Sequence, residues 1–301
     1  MRRGLKIIVW LMAACLLGAG CAGQAPAPAA PQAALLRYGD RTPSPRNPAE
    51  TVLQRGQFTG EVHALNDLGR LCRGELSHAG RVISVFIKSA YHLHEVQLRE
   101  GIPFHADNRN ADAAYHVNRF LDLVNTPPHV LRDDVPGCDG RGISAAGVQL
   151  FAEGSRSVDD SHVERLVSDP ALLDELEAMA VFDTIIGNTD RHDSNWRWVT
   201  APAAGERRLL ALDHALAFPV ERNVRGNYLM IERYLASTRE GQLSTATLAK
   251  LRAFRSNRLQ VDTVLRLNVN PRAIEHLWER VDRLLENRTV FTLRADRAGS
   301  R

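Results

Sequence analysis

Lysine is scarce in this chain. Beyond Lys6 only Lys88 and Lys250 occur, and arginine carries nearly all the positive charge. No polybasic block stands out, so nucleic acid and anionic lipid surfaces have no compositional support as partners. Cysteine is almost as rare, and Cys15 and Cys21 both fall near the start. Cys72 and Cys138 remain, either as one structural disulfide in an oxidising compartment or as two buried free thiols. The apolar run over residues 7–17 is about half of the ~20 residues that a membrane span needs. Several chemical signatures are missing as well. There is no Walker A motif, and Gly69, Gly74 and Gly80 do not make a GxGxxG. His92, His94, His105 and His116 have no HExxH or Cys-x2-Cys spacing beside them, so a zinc site is not indicated. Ser144, Ser155 and Ser157 lack the Gly-x-Ser-x-Gly elbow of a serine hydrolase.

What is present starts with a leader. Arg2, Arg3 and Lys6 precede the apolar run, and small residues follow up to Cys21, the layout of a secretory signal over residues 1–21. Leu17-Gly18-Ala19-Gly20-Cys21 resembles a bacterial-type lipobox, which implies a lipid on the Cys21 thiol and an anchor on a membrane face, against a soluble exported protein as the alternative. The 38 basic residues less the three in the leader equal the 35 acidic ones, so the mature chain is formally neutral. Residues 22–50 are rich in Ala, Pro and Gln and read as a tether.

With 44% hydrophobic residues, the remainder can bury a sizeable core. From Gln57 to Lys88, short apolar runs broken by glycines end in Val82, Val85 and Ile87, which reads as strands and hairpins. Helical spacing appears over residues 110–124, a strand over Gly147 to Ala152, and helices over residues 171–186 and 271–286, the last capped by Asn270-Pro271. The expected fold class is α+β in two lobes: a β-rich N-lobe over residues 51–150 and a mainly helical C-lobe over residues 151–301.

The chemistry concentrates in Gly187-Asn188-Thr189-Asp190-Arg191-His192-Asp193-Ser194-Asn195, with the strand Leu209 to Leu212 ending at Asp213. Phosphoryl transfer needs a carboxylate that orients an acceptor hydroxyl and takes its proton, together with oxygen ligands that hold a divalent cation against phosphates. Asp190 supplies the first, and Asn195 and Asp213 the second. A hairpin of Trp196 to Val199 with Leu209 to Leu212 would return Asp213 to the side of Asn195.

This segment resembles the catalytic loop of the superfamily that holds phosphatidylinositol 3/4-kinases, HipA-type kinases and Golgi secreted-pathway kinases. The resemblance implies a two-lobed protein-kinase-like fold, with Asp190 as catalytic acid/base, His192 fixing the loop within the site, and Asn195 and Asp213 as metal ligands. Residues Asn110 to Leu121, followed by Pro127-Pro128, are similar to the secreted-pathway kinases' Glu-x-Ala-Ala-aromatic-His helix, and place Asp112 where an acid pairs with a strand lysine or the metal. Lys88 is then the candidate for contact with nucleotide phosphates. Gln149 and Phe151 fall at the hinge between lobes, where backbone groups meet adenine. The implied cofactors are ATP and Mg²⁺ or Mn²⁺. His214 and Ala215 depart from the family's Asp-Phe-Gly or Asp-Asn-Gly.

The reading from sequence is therefore an exported kinase of the cell envelope, on its periplasmic or extracellular face, that moves the ATP γ-phosphate to a hydroxyl of a protein or glycan. The stretch after Asp213 lacks the basic run expected of a phosphoinositide-binding loop. The alternative is a catalytically weak kinase-fold envelope lipoprotein that serves as a nucleotide- or partner-binding sensor or scaffold. Nucleotidyl transfer on the same fold is a third class, separable by product mass.

Overall fold

The structure is a computed structural model that describes residues 48–65, 71–89, 107–133, 135–200 and 207–294. The leader, the lipobox and the tether up to residue 47 lie outside the described residues, as do Gly69, His92, His94 and His105. No helix among the described residues is long and apolar enough to cross a membrane.

The first element, α1 (Pro48–Arg55), begins inside the span read as tether. It is packed: Ala49, Val52 and Leu53 enter the N-lobe core, and Glu50 is 2% exposed. Glu50 accepts from Tyr115 Oη at 2.6 Å and pairs with Arg119 at 3.2 Å, so a charged residue that suits a tether is here a buried acceptor.

Strands β1 (Gln57–Ala64), β2 (Leu71–His78) and β3 (Arg81–Lys88) form a meander. Helix α2 (Asn108–Leu121) follows, then β4 (His129–Arg132), β5 (Val135–Pro136), β6 (Gly142–Ile143) and β7 (Ala146–Leu150). The main sheet is antiparallel in the order β1-β2-β3-β7-β4. Register decides what each face does, because side chains alternate across a strand. Ile83, Val85 and Ile87 stand opposite Leu76, Gly74 and Cys72 on one side, and Val85 and Ile87 stand opposite Leu150 and Val148 on the other. That face is buried against α1. The opposite face carries Ser84, Phe86 and Lys88 with Arg73, Gln149 and Gly147 as cross-strand partners. Val82 belongs to this second face and is 60% exposed, so it does not share the core with Val85 and Ile87. Cys72 is bonded to Cys138, in the turn between β5 and β6.

Helix α2 starts two residues before its sequence reading and stops three earlier. Asp107 caps its N-terminus by accepting from Arg109 N at 2.8 Å. Asp122, at φ 49°, ends it in the left-handed conformation, and Asn118 holds the exit by accepting from Leu123 N and Val124 N.

The C-lobe begins with β8 (Ser155–Arg156) and α3 (Asp160–Ser168). Helix α4 (Pro170–Ile186) is apolar on almost every side and is correspondingly buried at the centre of the lobe. After it come β9 (Asp190–Arg191), β10 (Trp196–Val199), β11 (Leu209–Ala211) and β12 (Asn227–Tyr228). Helices α5 (Leu229–Leu235), α6 (Thr245–Ser256), α7 (Arg258–Leu265) and α8 (Pro271–Asn287) complete the lobe. In α8, Asn270 caps the helix and Ile274, Leu277, Trp278, Val281 and Leu284 are buried, as their spacing predicts. The expected α+β plan, with an antiparallel sheet first and a helical region after it, is the one observed.

Candidate functional site

Helix α4 ends at Gly187, whose φ of 64° is a conformation that glycine adopts without a Cβ penalty. A Cβ there would also meet Pro219 Cδ at 2.8 Å. The chain turns at this point into the loop that carries Asp190, His192 and Asn195. Arg191 sets the shape of the loop. It is fully buried and pairs with Asp183 of α4 through Nε–Oδ2 at 2.9 Å and Nη2–Oδ1 at 2.8 Å. Its remaining nitrogen donates to the carbonyls of Asn195 and Leu212, the latter at 2.7 Å. One guanidinium thus joins α4, the loop and the strand that leads to Asp213. Asn188 adds a hydrogen bond to Asp183 Oδ1 at 3.1 Å.

Within the loop, Asn195 Nδ2 donates to the Asp190 carbonyl at 2.7 Å and lies 3.4 Å from Asp190 Oδ2. His192 Nε2 lies 3.6 Å from the same Oδ2. The hairpin forms as the sequence predicts: Trp196 pairs with Ala211 and Trp198 with Leu209. Leu212 N donates to the Asn195 carbonyl at 3.0 Å, so Asn195 and Asp213 are neighbours across the open end of the hairpin.

Asp213, at φ 48°, meets Lys88 from the N-lobe, with Nζ 2.7 Å from Oδ2. Burial by itself would raise the Asp213 carboxyl. The Lys88 charge and hydrogen bond, helped by the Ala215 N–H, outweigh it and hold the group at about 2. His214 is 3% exposed and packs edge-on against Phe182, ring centres 5.4 Å apart. Burial, and then the charge of Arg191, push its pKa well below the usual histidine range, so it is a neutral ring. The carbonyl of Ala215 accepts from Asp107 N at 3.0 Å and Asn110 Nδ2 at 3.1 Å, which ties the start of α2 to the segment after Asp213.

The other residues read as nucleotide-binding are placed differently. Asp112 faces Asn268 Nδ2 at 3.0 Å, with His129 Nδ1 at 3.6 Å and His116 Nε2 at 3.7 Å, and Lys88 takes Asp213 as its ion-pair partner. Gln149 pairs with Phe86 in the sheet and so lies on the Lys88 face. Phe151 packs against Phe86 with ring centres 4.6 Å apart and the planes tilted by 45°, and Arg73 lies 4.2 Å above its ring. The backbone of Phe151 is already engaged: its N–H donates to Ser84 O at 2.9 Å, and its carbonyl accepts from Glu153 N at 3.1 Å.

Three further residues matter that the sequence does not mark. Asp183 reads as an acid on a helix and is the buried anchor of Arg191. Asn108 spans α2 and β3, donating to the Lys88 carbonyl at 3.1 Å and the Ser89 carbonyl at 3.3 Å. Gly147 lets α2 approach the sheet, since a Cβ there would meet His129 Nε2 at 2.7 Å and Asn108 Cγ at 3.0 Å. Only the absence of a side chain beside Val148 could have pointed to it.

Among the described residues, no group of three His, Cys, Asp or Glu side chains could hold a metal by itself. One carboxylate and one amide, Asp213 and Asn195, fit a cation that is shared with phosphate oxygens, which is how Mg²⁺ commonly binds.

No protein-family model matches the chain, and no curated protein does. Solved structures do match. The structure of hydra Fam20 with sugar is similar over 79% of this chain and 87% of its own, with TM-score 0.51 and 15% identity. The Golgi casein kinase with Mn/ADP bound is similar over 79% of this chain and 74% of its own, with TM-score 0.51 and 14% identity. At these identities the likeness is one of fold.

Proposed function

We propose that the chain is an atypical kinase of the secretory type that transfers the terminal phosphate of ATP to a hydroxyl of a protein or glycan. The observation that carries this reading is the ion pair of Lys88 with Asp213, 2.7 Å, closed between the lobes beside the Asp190–Asn195 loop. A cation aimed at phosphates and a carboxylate suited to a metal stand at one point, and the acid that would receive the acceptor proton is one hairpin away.

In this reading Asp190 orients the acceptor hydroxyl and accepts its proton, with His192 beside it. Asn195, its amide nitrogen spent on Asp190, keeps the amide oxygen for the cation. Mg²⁺ or Mn²⁺ between Asn195, Asp213 and phosphate oxygens would neutralise charge that develops on the transferred group. Lys88 exchanges Asp213 for phosphate, and the Phe151 ring supports the base with Gln149 on the same sheet face. Asp112 acts at one remove, through α2, whose start holds Ala215. The fold of a casein kinase crystallised with Mn/ADP supports the choice of cofactors, and that of a Fam20 with sugar supports a glycan as an acceptor class beside protein. The leader and Cys21 support export and a lipid anchor at the cell envelope, with lobes divided near residue 150.

The test is a thermal shift of the chain with ATP and Mg²⁺ or Mn²⁺, beside Asp213→Ala, because a ligand bound only by the folded state raises stability. Metal-dependent stabilisation that is absent in the variant is the expected result, to be followed by an acceptor screen with labelled ATP and product mass. A folded protein that shows no shift at millimolar nucleotide is instead the sensor or scaffold.

A further inference from the structure

A cleft of about 220 Å³ opens on the C-lobe, lined among others by Arg222, His276, Glu279, Arg280, Arg283 and Arg294. None of the residues proposed for catalysis lines it. Arg280 is buried, 5% exposed. Its Nε donates to the Ile185 carbonyl at 3.0 Å, while its Nη2 is buried with no hydrogen-bond partner. Burial lowers the guanidinium to about 10, against the opposing charge of Glu279, so it remains a cation at neutral pH. His276 is 4% exposed, and its Nδ1 is also buried without a partner.

At the mouth, Arg222 pairs with Glu279 at 2.5 Å and Arg294 with Glu232 at 2.7 Å. Arg283 lies 3.9 Å from the centre of the Phe291 ring, and neither it nor Arg280 has an ion pair among the described residues. Four guanidinium groups thus meet two carboxylates, which leaves Arg280 unpaired inside the cleft and Arg283 unpaired at its mouth. A buried cation without an anion is costly, and guanidinium forks match phosphate oxygens.

We propose that this cleft binds a tetrahedral oxyanion carried as a phosphate monoester, held by Arg280 and Arg283. The size agrees. At ~30 Å³ per water the cleft holds the volume of about seven waters, more than a bare oxyanion fills. It is smaller than the ~300–1,000 Å³ of pockets for drug-sized ligands.

The test is calorimetric titration of the full chain with O-phosphoserine and, separately, sodium phosphate, at an ionic strength held constant with NaCl. Saturable binding of both is expected, tighter for O-phosphoserine, and weakened at least tenfold by Arg280→Gln. Because loss of Arg280 can unfold the chain, Arg283→Gln at the exposed mouth carries the same expectation, and Lys88→Met leaves the titration unchanged. Heat no greater than the NaCl control, or binding that survives Arg283→Gln, overturns the proposal. So does binding of phosphate without O-phosphoserine, which marks a free-ion site, or loss in Lys88→Met, which moves the anion to the nucleotide cleft.

Discussion

Arg191 and Asp183 form a salt bridge sealed from solvent, with side chains 0% and 1% exposed. A pair buried this deeply gains its worth from completeness, since either partner left alone is an uncompensated charge. Asp183→Ala is therefore expected to cost about 3–5 kcal/mol, read by urea denaturation. Replacing both, Asp183→Leu with Arg191→Met, should restore much of the stability. It should not restore the proposed phosphotransfer, because the carbonyls of Asn195 and Leu212 lose their shared donor.

Asp190 has a chemical task rather than a structural one in the proposed reaction. Asp190→Asn keeps the size of the side chain and removes the base, so the rate should fall by about 10²–10⁴. The nucleotide-induced thermal shift should persist, which separates this variant from Asp213→Ala. Loss of both rate and shift would mean that Asp190 holds the loop together instead.

The helices and the hairpin were legible because they are local. The spacing of Ile274, Leu277, Trp278 and Val281 specifies a helical face, and Asp190-x4-Asn195 lies within one turn of chain. Burial of charge was not legible. Asp183 sits on a helix where an acid ordinarily faces water, and the return of Arg191 eight residues later gives it its counter-charge. Glu50 follows a proline-rich stretch, and its partners Tyr115 and Arg119 come from α2. The arginine cleft likewise assembles from Arg222, Arg280 and Arg294, which no spacing rule connects.

The Lys88–Asp213 pair has a signature in pH. The Asp213 carboxyl has an ordinary value of 3.8 and a folded value of about 2. A depressed acid contributes stability that is present above the ordinary value and lost as pH falls through the folded one. In Lys88→Met the largest contributions that oppose burial are gone, so the carboxyl rises and its protonation costs the fold less than in the wild type. The stability gap between wild type and Lys88→Met should therefore narrow as pH falls from 3.8 to about 2. A gap that is constant over that window would mean that the pair does not govern the carboxyl.

The Cys72–Cys138 bond closes a separation of 66 residues and staples β2 to the β5–β6 turn. Opening it with reductant, or replacing both cysteines by serine, should cost about 2–4 kcal/mol in denaturant unfolding. The nucleotide shift should survive where the fold does, since Lys88 is set by β3 and Asn108 rather than by the bond.

Gly226 meets the loop that carries Asp190 more closely than any side chain permits. A Cβ there would stand 2.4 Å from the Thr189 carbonyl oxygen, which accepts from Asn227 N at 2.8 Å where β12 pairs with β9. Gly226→Ala must push that carbonyl, and Asp190 with it, away from β12. An overpacked site of this kind costs about 1–3 kcal/mol. Displacing the acid by about 1 Å costs of order 10² in rate. The damage should fall on kcat, with nucleotide affinity nearly kept, because Lys88 and Asp213 are held by other contacts. Gly142→Ala is the control: its Cβ would meet nothing within 4 Å, so it should change stability by less than about 0.5 kcal/mol and leave the rate alone. Equal effects of the two alanines would show that the contact with Thr189 does not set the position of Asp190.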